Sequence, residues 1–431
     1  MTTVCPLPAG DILHGFRASL ERGRMRQIIE RHLLAGAELA DLRPRYVRYK
    51  ELDGSLVGWQ VETVLEGQRH GSYVTARSAA LWRLVSEAER LGTRVGEIYS
   101  GLRSLALLEE EELLLLSFPV DRVLQDIRRM LRASRIRSLC LSQMPHIVPE
   151  GLRFSKRKST VELVRYKPER RAVLRWLLGM VDASSAVKER KGIYIRIHAG
   201  ALGPRVTRAL QAAAEAGVRC PRPFAVPHPK LVIESELSGA SPECLSKEHC
   251  AAAGELLSRL HGSEPPGDLP EWTGVQEMDS VLRACGDLDR LDGEAGRQAR
   301  SIADRLSSWI PSTEKPRLLH GDFHQGQLLF DSGRAGLVDF DRAVVGNAAY
   351  DLASFHGHLF GIENADETSA ALEETYGHAG ELPSPRTLAW YKAAFVLRFA
   401  MTPFRTLRPD WPSCTGRMLE HAARMAGAAE A

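Results

Sequence analysis

The sequence lacks a surplus of charge of one sign, a long apolar run and a paired cysteine motif, and each absence excludes a class of protein. Its 57 Lys and Arg nearly balance 54 Asp and Glu, so the formal charge of +3 gives no argument for a nucleic-acid partner. No segment approaches the run of about eighteen apolar residues that a transmembrane helix needs. The apolar run Leu113–Leu116 is far shorter and is predicted to be core.

The seven cysteines are dispersed and form no C-x-x-C pair, so they offer neither metal-binding nor redox spacing. An odd, scattered set is typical of free thiols in a reducing compartment. The amino terminus also lacks the basic segment, apolar run and cleavage site of a secretion signal. We therefore expect a soluble, cytoplasmic protein that binds neither a membrane nor nucleic acid.

Two segments in the first half of the chain share a pattern typical of a β-hairpin. Arg48-Tyr49-Lys50 with Trp59 has the same spacing as Arg165-Tyr166-Lys167 with Trp176, at an offset of 117 residues. Each hairpin is followed by another strand pattern and then by a helical run, at 78–91 and 204–217. This order is that of a small nucleotide-covering lobe, so the first copy is interpreted as a degenerate duplicate. Chance similarity between two amphipathic hairpins is the alternative.

The sequence suggests three parts. An arginine-rich amphipathic pattern predicts a helix from about Val120, and the prolines and glycine between 145 and 151 mark a boundary near 150. The segment 231–242 predicts a buried strand that runs into a hinge, after which helical periodicity prevails. We predict an α+β amino-terminal region at 1–150, a small nucleotide-binding lobe at 151–238 and a helical catalytic and acceptor-binding lobe at 239–431.

The segment LLHGDFHQGQLLFDSGRAGLVDFDRA, residues 318–343, interrupts the helical pattern with two short strand-like runs. It holds Asp322, then Gln327 five residues later and Asp339 seventeen residues later. Phosphoryl transfer needs one carboxylate to orient the acceptor hydroxyl and further oxygens to hold Mg²⁺ against the nucleotide phosphates. The spacing places Asp322 for the acceptor, and Gln327 and Asp339 for the metal.

This motif set resembles the catalytic and metal-binding signature of protein kinases. The closer resemblance is to the aminoglycoside phosphotransferase-like family, in which HGD replaces the kinase HRD. The likeness covers roughly residues 160–425 and includes ELLSRLHG at 255–262 and WYKAAFVLRFA at 390–400. It implies an α+β, two-lobed protein kinase-like fold behind the extra amino-terminal region. It also implies ATP as co-substrate, Mg²⁺ as cofactor and a hydroxylated small molecule as acceptor.

The resemblance implies a role for each matching residue. Asp322 would be the catalytic base or acceptor orienter, with His320 in the same catalytic loop, and Asp351 would brace that loop. His324 either contacts the acceptor or is structural. The metal ligands would be Gln327 and Asp339, while Asp341 either binds a second Mg²⁺ or caps the loop. The cofactor-binding set would comprise Arg196, Lys167, Arg170 and the hinge residues Glu234, Ser235, Glu236 and Leu237.

The chain departs from the family pattern at three places. Gln327 stands where many members carry Asn, a change shared with maltokinase-type sugar kinases that favours a carbohydrate-like acceptor. Arg196 replaces the phosphate-binding lysine, and Arg and Lys are not equivalent at a tight site. The hairpin turn KPERR lacks glycine, so phosphate contacts there would come from Arg170 or Arg171. No glutamate lies early in the following helix to pair with Arg196.

Three functions remain open from the sequence. The first is an ATP-dependent kinase of a sugar, an aminosugar or a sugar-containing antibiotic. The late helices carry few acidic residues, which argues against a strongly cationic acceptor. The second is a kinase of Ser or Thr on a peptide or protein that docks on residues 1–150. The third is a catalytically silent pseudokinase adaptor.

Overall fold

The computed structural model describes residues 14–49, 54–92, 100–224 and 228–430. It shows two antiparallel five-stranded sheets, one after the other along the chain, and then a mostly helical region. The predicted α+β class and the two-lobed arrangement behind an extra amino-terminal region are therefore confirmed. In the described part of the chain, no helix has the length and apolar character needed to cross a membrane.

The first sheet has the strand order β1-β2-β3-β5-β4 and packs against two amino-terminal helices. Leu113–Leu116, predicted to be core, lie on β5 and are at most 2% exposed. The elements are α1 (His14–Leu20), α2 (Arg22–His32), β1 (Glu38–Arg48), β2 (Ser55–Leu65), β3 (Gln68–Ser78), α3 (Leu81–Gly92), β4 (Leu105–Leu108) and β5 (Leu113–Ser117).

The second sheet has the strand order β6-β7-β8-β10-β9, the same topology as the first. One face packs against α5, and α6 follows β8 as α3 follows β3. The elements are α4 (Ile127–Met130), α5 (Ala133–Gln143), β6 (Arg153–Lys167), β7 (Arg171–Val181), β8 (Val187–His198), α6 (Gly203–Glu215), β9 (Pro223–Phe224) and β10 (Leu231–Ser235).

The two sheets also share their register. Arg48 lies opposite Leu56 in the first hairpin, and Arg165 lies opposite Val173 in the second, at the offset of 117 residues that the sequence suggested. Lys50 falls outside the described residues. Because order and register agree together, the likeness extends well beyond four matching letters.

The two matching tryptophans have the same structural role. Trp59 is fully buried and donates its indole N–H to the carbonyl of Ser19, 3.1 Å away. Trp176 is 2% exposed and donates to the carbonyl of Met130 at 3.0 Å. Each therefore ties the middle of its sheet to a preceding helix, which satisfies the buried indole donor.

The helical lobe surrounds a small sheet and a two-stranded hairpin that together carry the motif of residues 318–343. Its helices bury a continuous apolar core that extends to the first sheet. The elements are α7 (Lys247–Gly262), β11 (Glu271–Trp272), α8 (Gly274–Leu291), α9 (Gly293–Ser307), β12 (Arg317–Leu319), β13 (Leu328–Asp331), β14 (Arg334–Leu337), β15 (Val344–Gly346), α10 (Ala349–His358), α11 (Ala365–Ala379), α12 (Pro385–Phe399), α13 (Thr402–Arg405) and α14 (Trp411–Glu430).

The helix predicted to begin near Val120 begins at Ile127 instead, as the short α4. The Asp121 carboxylate accepts hydrogen bonds from the backbone N–H groups of Val123 and Leu124 and so fixes a turn before the helix. The boundaries near 150 and 238 stay predictions. Residues of α5 contribute to the core beneath the second sheet.

Candidate active site

The loop that carries the HGD motif follows β12 and is held by a buried carboxylate. Asp351, fully buried on α10, accepts the N–H groups of His320 at 2.7 Å and of Gly321 at 2.8 Å. His261 lies 3.1 Å from the same carboxylate. Gly321 has φ of 78°, and a Cβ there would lie 2.0 Å from the carbonyl oxygen of Arg342, so only glycine fits. The geometry is that of the brace expected for Asp351.

His320 and Asp322 face different surroundings. His320 is fully buried and donates from Nε2 to the carbonyl of Val338 at 2.9 Å, so its ring supports the loop and does not reach the cleft. The Asp322 side chain is 27% exposed and lies 3.8 Å from Arg342. Burial raises the pKa of Asp322, but Arg342 and the nearby His324 outweigh it and hold that pKa below its usual value. Asp322 is therefore ionised near neutral pH.

Two stacked histidines lie beside Asp322. The rings of His324 and His358 are 4.2 Å apart and nearly parallel, and each offers a ligand-type atom within 4.8 Å of the others and of Asp322. His358 donates its Nδ1–H to the carbonyl of Ser354, which leaves Nε2 as an acceptor. His324 accepts from the N–H of Gly326 at Nδ1, so its Nε2 carries the hydrogen and cannot bind a metal as placed. The two rings form a polar wall beside Asp322.

Asp339 and Asp341 meet two guanidinium groups that come from the second sheet. Nη1 of Arg171 lies 2.8 and 3.0 Å from the two carboxylate oxygens of Asp339 and also contacts Asp341. Nη1 of Arg196 lies 3.0 Å from Asp339 and 3.2 Å from Asp341. Burial raises the pKa of Asp339, but both arginines outweigh it and hold that pKa well below its usual range. The two carboxylates therefore form a strong cation site.

The same residues suit Mg²⁺. A cation placed at Nη1 of Arg171 would touch both Asp339 and Asp341, because this one nitrogen contacts both carboxylates. Gln327 is 5% exposed and its amide lies 3.3 Å from Asp339. A half-turn of that amide would present its oxygen, and hard oxygen ligands are what Mg²⁺ prefers. The donor set fits the metal once Arg171 withdraws.

Arg196 finds its acidic partner on a strand and not on the helix after β8. Its Nη2 lies 2.6 Å from the carboxylate of Glu234, and both residues are almost fully buried. Burial raises the pKa of Glu234 to about 7. The charges of Asp341 and Asp339 also raise that pKa, whereas the charge of Arg196 lowers it. Glu234, predicted to be a hinge residue, thus points from β10 to the carboxylate cluster. The sequence signal that could have identified Glu234 as the partner of Arg196 was an acidic residue inside the apolar strand LVIES.

The turn between β6 and β7 supplies several cations to the same cleft. Arg171 reaches the carboxylates, whereas Arg170 is exposed. Lys167 lies close enough to Asp322 for their charges to interact. Burial, with repulsion from Arg165 and Arg171, lowers the pKa of Lys167 to about 8. From the sequence, Arg170 and Lys167 are predicted to bind the cofactor, and Arg171 only as an alternative to Arg170.

The remaining hinge residues, Ser235, Glu236 and Leu237, line a cavity of about 840 Å³. Arg175 donates to Glu236 across this cavity at 2.7 Å. A Cβ on Gly192 would lie 1.8 Å from the Glu236 carboxylate, so glycine allows that side chain to cross the strand. The predicted hinge thus lines a roomy cavity whose wall carries an ion pair.

Part of this chain is similar in sequence to known phosphotransferases and kinases. Residues 188–391 match the model of the Phosphotransferase enzyme family, APH. A homoserine kinase from Beijerinckia indica subsp. indica is 31% identical over 129 residues. That alignment covers 28% of this chain, and the chain spans only 39% of the length of that kinase.

Two solved structures illustrate the shape likeness. Spectinomycin phosphotransferase, solved with ADP and spectinomycin, is 12% identical with a TM-score of 0.47, over 69% of this chain and 98% of that chain. A choline/ethanolamine kinase family protein from Mesorhizobium loti is 17% identical with a TM-score of 0.43, over 68% and 94%. The matched range 188–391 includes Arg196, Asp322 and Asp339. Residues 188–391 of this chain are thus similar to the phosphotransferase enzyme family.

Proposed function

We propose that this protein is an ATP-dependent phosphotransferase that moves the γ-phosphate to a hydroxyl group of a small molecule. The observation that carries the proposal is the juxtaposition of two kinds of carboxylate in the family domain. Asp322 is exposed to the cleft on a loop braced by Asp351, and Asp339 and Asp341 form a separate cation site. One carboxylate is thus free for the acceptor while the others serve the metal.

In the proposed reaction the acceptor hydroxyl oxygen forms a bond to the γ-phosphorus, and the bond between that phosphorus and the β–γ bridging oxygen breaks. ADP leaves with the bridging oxygen, and the hydroxyl proton passes to Asp322. The lowered pKa of Asp322 makes it a weak base, so its larger contribution is to orient the hydroxyl by an early hydrogen bond. Mg²⁺ held by Asp339, Asp341 and Gln327 would neutralise phosphate charge.

The phosphate side of the cleft is served by cations of the second sheet. Lys167, Arg170 and Arg171 come from one turn, and Arg171 already occupies the cation site between Asp339 and Asp341. Arg196 is bonded to three carboxylates and acts mainly by fixing their positions. We propose that Arg171 exchanges its carboxylate partners for phosphate oxygens when nucleotide binds, because guanidinium groups pair with both.

The surroundings of Asp322 favour a neutral or anionic acceptor. Its neighbours are the cationic Arg342 and the rings of His324 and His358, whose pKa values burial lowers. The pKa of His324 falls to about 3, so that ring is neutral near pH 7. A polycationic acceptor would meet like charge there, whereas a sugar hydroxyl or a hydroxy acid would not. Neutral sugars and homoserine are therefore the acceptors to test first, with aminosugars as the cationic comparison.

The experiment is Mg²⁺-dependent ATP consumption by the purified protein with those acceptors and with Ser/Thr peptides. Asp322→Asn is the matched variant, since it keeps the side-chain shape and lies outside the Asp351 brace. Turnover with one acceptor class that falls by about 10³-fold or more in Asp322→Asn supports the proposal. Turnover with peptides alone would move the acceptor to protein Ser or Thr.

A silent adaptor is the second candidate, and one contact favours it. Arg171 and Arg196 together hold Asp339 and Asp341, the groups that the metal would need. Two results together would show that these ion pairs persist and keep the metal out. No acceptor would support turnover, and Mg·ATP would fail to raise the thermal midpoint of the wild-type protein. The adaptor would then replace the kinase as the function.

A further inference from the structure

Glu169 joins the two sheets at the turn between β6 and β7, which carries Lys167, Arg170 and Arg171. It lies at the tip between β6 and β7 with φ of 57°, and it is only 6% exposed. Arg122 donates to its two carboxylate oxygens at 2.9 and 3.0 Å. Arg48 also donates to it, and Arg77 lies 3.5 Å away. Three arginines from outside the second sheet therefore surround one carboxylate at the tip of the turn.

A second carboxylate holds the same turn through its backbone. One oxygen of Asp121 accepts both the N–H of Glu169 and the hydroxyl hydrogen of Tyr166, each at 2.8 Å. The Tyr166 ring packs edge-on against Tyr73 of β3 and against Phe118. The turn is thus fixed by side chain, by main chain and by packing, all to residues between 48 and 122.

The charge balance explains why the turn stays docked. Burial raises the pKa of Glu169, but the hydrogen bonds from Arg122 and Arg48 and the charge of Arg77 outweigh it and lower that pKa to about 2. A carboxylate buried this deeply without cations would be strongly disfavoured. The arginines in turn would be left close together without their shared acid. Loss of the arginines and loss of the Glu169 charge would therefore each destabilise the docked turn.

The cations proposed to bind the nucleotide phosphates lie within two positions of this anchor. Lys167 precedes Glu169 by two residues, and Arg171 follows it by two. Pro168 between them restricts the backbone, and Glu169 itself occupies the left-handed region, which leaves the turn few alternatives. Movement of Glu169 would therefore carry Arg171 with it.

We propose that Glu169 is a positioning residue for nucleotide binding, through which the first sheet sets the place of Lys167, Arg170 and Arg171 over the phosphates. This proposal rests on the proposed phosphotransferase function. It gives the first sheet a definite role, because that sheet stands in for a glycine-rich loop by holding a glycine-free turn rigidly from outside. A turn held by its own tight backbone needs no such support.

The test measures the dissociation constant of Mg·AMP-PNP by isothermal titration, which needs no acceptor. Glu169→Gln removes the charge and keeps the volume, and we expect binding weaker by about tenfold or more because a small displacement of positioned groups is costly. Arg122→Gln is the milder partner variant, since the Arg122 side chain is 28% exposed, and it is expected to weaken binding in the same direction. In the double variant the two effects should not add, since they remove one interaction.

Glu87→Gln is the matched control. Glu87 lies on α3 and binds the same two arginines, Arg77 at 2.7 Å and Arg122 at 3.5 Å, but it has no bond to the turn. It should leave the dissociation constant within about twofold of wild type while it lowers the thermal midpoint. Equal weakening in Glu87→Gln and Glu169→Gln would show a general structural role and overturn the proposal. An unchanged constant in Glu169→Gln and Arg122→Gln would overturn it as well.

Two further outcomes are decisive. If Glu169→Gln does not fold, Arg122→Gln carries the test, with faster hydrogen exchange at residues 167–171 as the expected second signature. Unchanged exchange together with unchanged affinity would overturn the proposal. If wild-type protein itself does not bind Mg·AMP-PNP, the proposed function fails and this proposal falls with it. By contrast, wild-type binding together with unchanged binding in the variants would overturn only the role of Glu169.

Discussion

Arg77 on β3 and Arg196 on β8 occupy the same register position in two sheets of the same strand order. Arg77 lies opposite Leu56 and Arg196 opposite Val173, and each is almost fully buried among carboxylates. Arg196 binds the acids of the cleft, whereas Arg77 binds Glu87 and the Glu169 carboxylate of the neighbouring turn. Duplication of a lobe would leave this pattern. Arg196 binds the acids of the cleft, and Arg77 helps to hold the turn beside that cleft.

Arg196→Met is expected to destabilise the protein by about 3–5 kcal/mol, because it leaves Glu234 buried without its cation. The double variant Arg196→Met with Glu234→Leu should recover much of that loss, since the orphaned charge is then gone. Urea unfolding of both variants and wild type measures this. A double variant no more stable than Arg196→Met would contradict the charge argument.

A chain that begins at residue 151 should fail to fold, even though a boundary near 150 is predicted from the sequence. Such a chain loses Ile136, Leu139 and Met144, which lie in the core against Trp176 and the second sheet. At about 1.5–3 kcal/mol for each buried side chain, the loss is comparable with the whole stability of a domain. Far-UV circular dichroism and solubility measure it, with a chain that begins at residue 14 as control. A soluble chain with cooperative unfolding would contradict the expectation.

The sequence predicts those parts of the candidate site that depend on neighbours along the chain. Asp322, Gln327 and Asp339 share one strand-loop-strand unit, so their spacing already limits their positions. The repeat was visible because register in a hairpin depends on local pairing and turn length. The helix predicted from Val120 was wrong in its start, since a single Asp121 side chain outweighed the amphipathic pattern.

The parts that escaped prediction depend on distant contacts. Arg171 and Asp339 are 168 residues apart in the chain, and Arg48 and Glu169 are 121 apart. No periodicity or spacing rule connects such pairs, because their proximity is set by how whole sheets and lobes pack. In the sequence, Glu169 was accordingly not distinguishable from the other charged residues of its turn. Its arginine partners became recognisable only in three dimensions.

The stability that Glu169 contributes should depend on pH in a definite window. Its pKa is about 2 in the folded chain against an ordinary value of 4.5, so its contribution is fully present above about pH 4.5. That contribution is lost as the pH falls through 2. The stability difference between wild type and Glu169→Gln should therefore shrink from pH 4.5 downward. Urea midpoints at pH 7, 4 and 3 measure it, and a difference that stays constant would contradict the assigned pKa.

Asp351→Asn should weaken the loop that carries Asp322. The neutral amide has one acceptor oxygen in place of two and turns an N–H₂ group toward His320 or Gly321, so one backbone donor is left unsatisfied. We expect a loss of about 2–4 kcal/mol in the free energy of unfolding. Asp322→Asn is the control and should change it by less than about 1 kcal/mol, since that side chain is partly exposed. Similar losses in both variants would contradict the brace.

Arg171→Met should increase the affinity of the carboxylate pair for a divalent cation. Nη1 of Arg171 occupies the point between Asp339 and Asp341, so protein and metal compete for the same negative charge. Titration of the nucleotide-free protein with Mn²⁺, followed by electron paramagnetic resonance, measures the affinity directly. We expect binding tighter by about tenfold in Arg171→Met. Arg170→Met, one residue earlier on the exposed side of the turn, is the matched control and should bind Mn²⁺ as wild type does. If Arg171→Met binds no more tightly than this control, the guanidinium is not a competitor, and Mg²⁺ must enter the site by another set of oxygens.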